Sequence, residues 1–441
     1  MRLGIFLLAS VMAVVVLAPE ASATPVFARQ TGMACSSCHF QHFPMLNGFG
    51  RAFKSAGYTM MGGQVKLEGE GLSIPSTLNM AVVTTTGFEK SNQASAAALG
   101  TTPAKSTGDG VFYVPGSGGE LSLFFGGRIS ENAGFLGELN TGNTAGAHSS
   151  VKMPVNVSHD LSFMPEGMRA SIIPFATDAL GASYGFEVLN TGANVVHQMS
   201  SAAGFNGAHS GAISAQQYIG TNGPAKGFAF VVTHPMGFIN LTAFDRTGIS
   251  GGALANLSSS YIRVAGMFEL AGWDAAAGVQ VWSGSSAVGI AGGPPTATTD
   301  TKASAIDGQM QGHWGEMPVG FYASYASAPT VAAATNFLGN AYNDCTAALN
   351  CATKSSLNIS GEVGVVPEKV TLGAALRSGK SGDGKTNDAI MLIGTYKLAQ
   401  NMLASLIFTS ASGGYWYSNG TTGTTDTIGN TTYTFNVFTA F

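Results

Sequence analysis

Residues 431–441 read Thr-Thr-Tyr-Thr-Phe-Asn-Val-Phe-Thr-Ala-Phe. Tyr433, Phe435, Val437, Thr439 and Phe441 fall on one face of an extended chain, because side chains alternate across a strand with period two. The other face is smaller and more polar, with Thr432, Thr434 and Asn436. Such a dyad suits a wall that has lipid on one side and a polar interior on the other.

The same pattern recurs upstream. Leu121, Leu123 and Phe125 alternate with Ser122 and Phe124, and Val151, Met153, Val155 and Val157 alternate with Lys152, Pro154, Asn156 and Ser158. Phe238, Asn240, Thr242 and Phe244 alternate with Ile239, Leu241 and Ala243. Seven short turns are expected to link strand pairs: 130–134, 164–167, 234–237, 270–273, 315–318, 366–369 and 398–401. Longer loops rich in Gly, Ser, Thr and Asn lie between them, such as 89–118, 141–150, 285–300, 328–355 and 413–429. Strands survive in a bilayer only when every edge is closed, so this is the pattern of a transmembrane antiparallel β-barrel. Short turns on the periplasmic side and long extracellular loops are the usual asymmetry of such barrels. Seven turns with both chain ends periplasmic give about sixteen strands, or eighteen if residues 178–224 hide a hairpin. The terminal aromatic Phe441 also resembles the assembly signal of bacterial outer-membrane proteins.

Composition agrees. Only 10% of the 441 residues are charged, against about 25% in ordinary soluble domains, and 60 are glycine. After the first residues, no stretch approaches the roughly 18 apolar residues of a spanning helix. A soluble β-sandwich or β-helix would carry more surface charge. The net charge of −4 and the lack of a basic cluster give no sign of nucleic-acid binding.

The chain opens with Arg2, an apolar stretch from Ile5 to Leu17 and the small residues Ala21-Ser22-Ala23, which together read as a signal peptide over 1–23. Export is followed at once by Cys35-Ser36-Ser37-Cys38-His39, the spacing of c-type haem attachment. Each thiol can add across one haem vinyl group, and the His39 imidazole then ligates iron from the proximal side. A disulfide or redox dithiol at Cys35 and Cys38 would leave His39 and its aromatic neighbours unexplained. The other two cysteines, Cys345 and Cys351, share one predicted loop in an oxidising compartment and are expected to form a disulfide.

Behind the motif, Pro44 is placed to start a helix with Leu46, Phe49 and Phe53 on one face and Gly57 at its end. That face, with Phe40 and Phe43, would cover a porphyrin. Arg51 and Lys54 are the helix cations; they meet the propionates or are simply solvated. For the distal ligand, His42 is discounted because it follows His39 so closely. Met45, Met60 and Met61 stay open, with Met60 preferred, and packing is the alternative for each. Histidines 148, 159, 197, 209, 234 and 313 show no ligand spacing. Glu138, Glu187, Asp245 and Glu362 are candidate interior carboxylates with nothing to select among them.

Residues 24–72 thus read as a monohaem cytochrome region and 73–441 as the barrel. The segment from Arg29 to Lys54 resembles the fused cytochrome–porins of iron-oxidising bacteria. The likeness rests on Arg29-Gln30-Thr31-Gly32, the haem motif, Phe43-Pro44-Met45-Leu46 and Phe49-Gly50-Arg51 with Phe53-Lys54; over the rest it is architectural. It implies an outer-membrane electron conduit with one haem c, which oxidises extracellular ferrous iron and hands the electron to a periplasmic cytochrome or other soluble carrier. Iron(II):cytochrome oxidoreductase activity follows from the same likeness. A haem region inside the lumen is expected because about fifty residues bury a haem poorly alone and a sixteen-stranded barrel has room for a small plug. A conduit with another external donor or acceptor, and a passive porin or adhesin with a structural haem plug, are the competing readings.

Overall fold

The computed structural model describes residues 26–70, 72–91, 110–140, 149–157, 164–193, 197–199, 214–247, 256–289, 295–343, 345, 351–414 and 431–441. The expected signal peptide and His148, His159 and His209 lie outside them.

Sixteen antiparallel strands close into one barrel. They are β1 (Asn79–Ser91), β2 (Leu121–Arg128), β3 (Gly134–Asn140), β4 (Ser149–Lys152, resuming at Val155–Asn156), β5 (Arg169–Thr177), β6 (Ala225–His234), β7 (Gly237–Asp245) and β8 (Ser259–Leu270). The circle continues with β9 (Trp273–Gly289), β10 (Ala303–Trp314), β11 (Met317–Ala328), β12 (Lys354–Val366), β13 (Val370–Lys380), β14 (Asp388–Ala399), β15 (Met402–Ser412) and β16 (Thr431–Ala440). It closes where β16 pairs with β1, from Tyr433 opposite Lys90 to Ala440 opposite Val83. Closure leaves no unpaired edge, which is the condition for strands to cross a bilayer.

The two faces of the wall are inverted relative to a soluble protein. In β6, Phe228, Phe230 and Val232 are exposed while Ala229 and Val231 are buried. In β8, Ile262 and Val264 point outward while Tyr261 and Arg263 are buried. Large apolar residues on the outside and polar ones within are stable only if the outside is hydrocarbon. The chain is therefore a transmembrane barrel of the bacterial outer-membrane type.

Local chemistry sets the details. Pro154 has no N–H to donate, and β4 breaks there. Ala271 and Gly272 both adopt positive φ, 52° and 80°, as a two-residue turn between right-twisted strands requires. All seven short connections lie at one end of the barrel.

Three expected loops are more regular than their composition suggests. Val111–Pro115 pairs with the outer end of β1, Pro295–Asp300 pairs with the outer end of β9, and Phe337–Asn340 runs parallel to Pro295–Asp300. Backbone pairing continues beyond the membrane wherever a neighbouring strand offers free amides, whatever the side chains. Residues 178–224 hold no strand among the described residues. They form one long connection with a 3-10 turn at Ala182–Tyr184 and a short helix at Ala215–Ile219, so the count is sixteen, not eighteen.

The N-terminal part holds α1 (Val26–Thr31), a 3-10 turn at Cys35–Ser37, α2 (Gly48–Ser55) and a hairpin of Lys66–Gly69 with Leu72–Pro75. The expected boundary after residue 72 cuts this hairpin, and the wall begins only at Asn79. The helix also starts later than Pro44 suggests. Asn47 caps it by accepting from the Gly50 amide at 2.9 Å, which leaves Leu46 outside. Gly57, at φ 72°, follows the last turn and allows the reversal.

Candidate cofactor-attachment site

Cys35 and Cys38 are half-buried free thiols. The 3-10 turn between them sets Ser36 and Ser37 aside, and the carbonyls of both serines accept from Asn47 Nδ2 at 3.3 and 3.1 Å. Gly50 is needed for this packing, since a Cβ there would stand 2.1 Å from the Cys38 carbonyl oxygen. The first turn of α2 is thus fastened directly to the motif. Burial raises both thiols above their ordinary pKa.

Three histidines surround this turn in different states. His39 Nδ1 donates to the Met45 carbonyl at 3.1 Å, so Nε2 carries the lone pair. Desolvation lowers its pKa to about 4, with the Met45 and Pro44 carbonyls opposing, and the ring is neutral at physiological pH. A backbone carbonyl on Nδ1 is the usual way to orient a metal-ligating imidazole. Phe43 lies edge-on to this ring at 5.0 Å and stacks on Phe438 of β16 at 4.9 Å.

His42 is engaged at both nitrogens. Nδ1 donates to the Phe43 carbonyl at 2.8 Å and Nε2 to Glu362 of β12 at 2.9 Å, with both side chains buried. Burial disfavours its charged form, but the adjacent carboxylate outweighs this and the pKa is raised. His42 is therefore an ion-pair residue with no nitrogen left for iron. His197 comes from the long connection, donates from Nδ1 to the Pro44 carbonyl at 3.2 Å and accepts from Lys54 Nζ at 2.5 Å. Burial, then Lys54 and Lys152, hold it well below the ordinary imidazole value.

The helix cations both have partners in the protein. Arg51 is ion-paired with Asp274 of β9 and donates to Gln311 of β10 at 3.2 Å. Lys54 is desolvated to a pKa of about 8 and serves His197. In the structure both cations fasten α2 to its surroundings, Arg51 to the wall and Lys54 to His197. Phe49 is also turned away from the packed side, being 40% exposed against 7% for Phe53. Met45 is buried among Tyr322, Met391 and Ile393. Met60 and Met61 line a cavity of about 560 Å³ with Phe49, Phe53, Arg128 and Arg169, and Cys35, Cys38 and His39 are not part of that lining.

Two free thiols and an imidazole with a free Nε2 are the groups that covalent haem attachment requires, so the residues present fit the group. Sequence reasoning left out Asn47 and Asn190 and found no ligand spacing at His197, yet all three complete this environment. Asn47 was readable as a helix cap, whereas Asn190 and His197 have no local signal because the fold brings them in from the long connection. Glu187 lies on that connection and not on a strand; among the other carboxylates, Glu362 is singled out by His42. Asp245 is buried at the end of β7, and Glu138 of β3 accepts from Ser122 at 3.2 Å. His234 and His313 sit at the turn ends of β6 and β10, away from the motif. Cys345 and Cys351 are joined by a disulfide.

Taken together, an outer-membrane β-barrel carries a Cys-x-x-Cys-His segment fastened to the first turn of α2. Among solved structures the chain is similar to a loop-deletion form of OmpT, an outer membrane protein of Vibrio cholerae, at 10% identity and TM-score 0.42 over 83% of this chain and 99% of that one. It is also similar to a mutant porin of Rhodopseudomonas blastica, at 11% identity and TM-score 0.42 over 83% of this chain and 100% of that one. These identities are too low to carry a function across. No protein-family profile and no curated protein matches the chain.

Proposed function

We propose that the chain is an outer-membrane electron conduit. Cys35 and Cys38 would hold a single haem c with His39 on its iron, and the chain would thereby accept electrons from extracellular ferrous iron and pass them to a soluble periplasmic carrier such as a cytochrome. The observation that carries this reading is His39: its Nδ1 is committed to the Met45 carbonyl and its Nε2 is left to ligate, beside two free thiols. The donor is taken from the resemblance to the fused cytochrome–porins.

When bound, the haem would supply one-electron redox chemistry, which no side chain here offers at moderate potential. The residues of the chain supply position. Contacts run from the N-terminal segment to many sides of the barrel: Gln30 to Asn79 of β1 and the Arg128 amide of β2, Arg51 to β9 and β10, His42 to β12, Gln41 to Thr371 of β13, and Phe43 to β16. Strand residues that receive them, such as Gln311 and Glu362, belong to the buried rows of the wall. These contacts support a plug inside the lumen. A haem region of this size is too small to exclude water alone, and a barrel wall makes up the difference. The apolar belt of such barrels is about 25 Å tall, so a haem at that level shortens the path across an insulating membrane.

The test is haem absorbance of the purified protein in detergent, mixed rapidly with ferrous iron under anoxic, near-neutral conditions. Fast appearance of the reduced band supports the proposal, and Cys38→Ala should abolish it. Haem that dithionite reduces but iron does not would overturn ferrous iron as the donor. Absence of covalent haem from protein matured in a host with c-type assembly would overturn the conduit itself.

A further inference from the structure

A barrel of sixteen strands ordinarily leaves a water-filled channel, and its inward side chains are then wet. Here they are dry. Asn240, Arg263 and Gln280 are fully buried, as are Thr409 and Asn436 on the opposite arc. These polar side chains face neither lipid nor water. Something must fill the bore along β7–β16, and the long connection after β5 occupies much of it.

Its course can be followed through its contacts. Phe186 packs against Phe238 of β7 at 5.2 Å, and its carbonyl accepts from Asn240 at 3.1 Å. Glu187 meets Arg263 of β8 at 3.1 Å, and Arg263 in turn holds Asp307 of β10 through both terminal nitrogens. Thr191 donates to the same Asp307 at 2.7 Å, and the Asn190 amide donates to Gln309 at 2.7 Å. Gln216 then donates to the Thr191 carbonyl, while the Ala215 amide donates to Ser324 of β11 at 3.0 Å. The described parts of the connection, 182–193 and 214–220, are thus hydrogen-bonded to the inner side of β7, β8, β10 and β11.

Asp307 is the common point, receiving Arg263, Gln280 and Thr191 at once. A fully buried carboxylate–guanidinium–carboxylate set is costly to desolvate and strongly destabilising to break on one side. That makes it a poor device for bulk stability and a good one for holding a segment in one place.

We infer that the barrel passes no small solutes: residues 182–193 and the helix Ala215–Ile219 seal the bore, with Glu187, Arg263 and Asp307 as the latch. The inference does not depend on the haem, and its failure would leave the conduit reading standing. It also separates this chain in kind from a diffusion pore, because electrons need no open channel and ions do.

Two measurements on the full-length protein test it. Reconstituted in planar bilayers, the native chain is expected to show no stepwise ionic current; regular current steps would overturn the seal. The second uses Ser324→Cys and a charged, membrane-impermeant thiol reagent, with the native chain as background. The new thiol is expected to resist labelling in the native frame and to react at least tenfold faster when Asp307→Ala is added. Fast labelling without the second substitution would overturn the seal, and equal protection with it would overturn the latch. Should Asp307→Ala fail to assemble, Glu187→Gln gives the same comparison with one buried contact removed.

Discussion

Asn190 and Leu46 exchange two hydrogen bonds across 144 positions of sequence: the Leu46 amide donates to Asn190 Oδ1 at 2.8 Å, and Asn190 Nδ2 donates to the Leu46 carbonyl at 2.9 Å. A side-chain amide here imitates one rung of a β-ladder. It joins the long connection to the segment that carries the cysteines, immediately after the carbonyl of Met45 that orients His39. Asn190→Ala would strand the buried Leu46 N–H, at about 1–3 kcal/mol, and leave the Leu46 carbonyl only its long bond from Arg51 Nη1 at 3.5 Å. The expected outcome is faster amide exchange over residues 45–53 with the barrel intact; unchanged exchange there would show that the two segments are not coupled.

The His42–Glu362 pair predicts a pH dependence. The pKa of His42 is raised in the folded protein from its ordinary 6.5. The fold therefore binds this proton more tightly than the unfolded chain does. The stabilisation is complete below pH about 6.5 and is lost as pH rises through the raised value. The thermal midpoint in detergent should fall as the solution is made alkaline through that window, and Glu362→Gln should flatten the slope. A native profile that rises with pH there would contradict the pair.

How much of this could be read in the sequence follows from which interactions are local. The wall was legible because lipid and interior impose a period of two on strands such as Tyr433–Phe441, and its turns because reversals like Ala271-Gly272 need particular residues. The Cys35–His39 spacing stands out in the sequence, whereas the bond from His39 Nδ1 to the Met45 carbonyl that orients its ring does not. The fate of Arg51 and Lys54 was not legible: a cation on a short helix looks the same whether it meets a propionate, water or Asp274. Nor were the described parts of 178–224, which are held by contacts with strands far away in sequence and leave no periodicity behind. Regular pairing within loops such as Pro295–Asp300 was hidden for a related reason, since backbone amides are the same under any side chain.

The inverted wall makes a sharper prediction at neighbouring positions. Leu241 of β7 is 49% exposed and faces outward, while Asn240 beside it is fully buried. Leu241→Arg sets a charge in hydrocarbon and should cost about 2–4 kcal/mol near the mid-height of the wall. Reversible unfolding in lipid vesicles measures it. Asn240→Leu should instead act locally, by removing the bond to the Phe186 carbonyl, at about 1 kcal/mol. Equal effects at the two sites would mean that the faces are wrongly assigned.

Met60 bears on the proposed haem. Its carbonyl accepts from Gln30 Nε2 at 2.7 Å, which ties residue 60 to α1. The cavity that it lines with Met61 is walled by the Phe49–Phe53 side of α2, whereas Gly50, on a different side of that helix, meets Cys38. In the structure α2 thus stands between the Cys35–Cys38 turn and the Met60 side chain. Met60→Ala should leave the visible spectrum of the oxidised and reduced haem unchanged, and Met61→Ala likewise. Loss of a methionine-type spectrum in Met60→Ala alone would mean that the segment after α2 folds back over the iron once haem is attached, and would restore Met60 as the distal ligand.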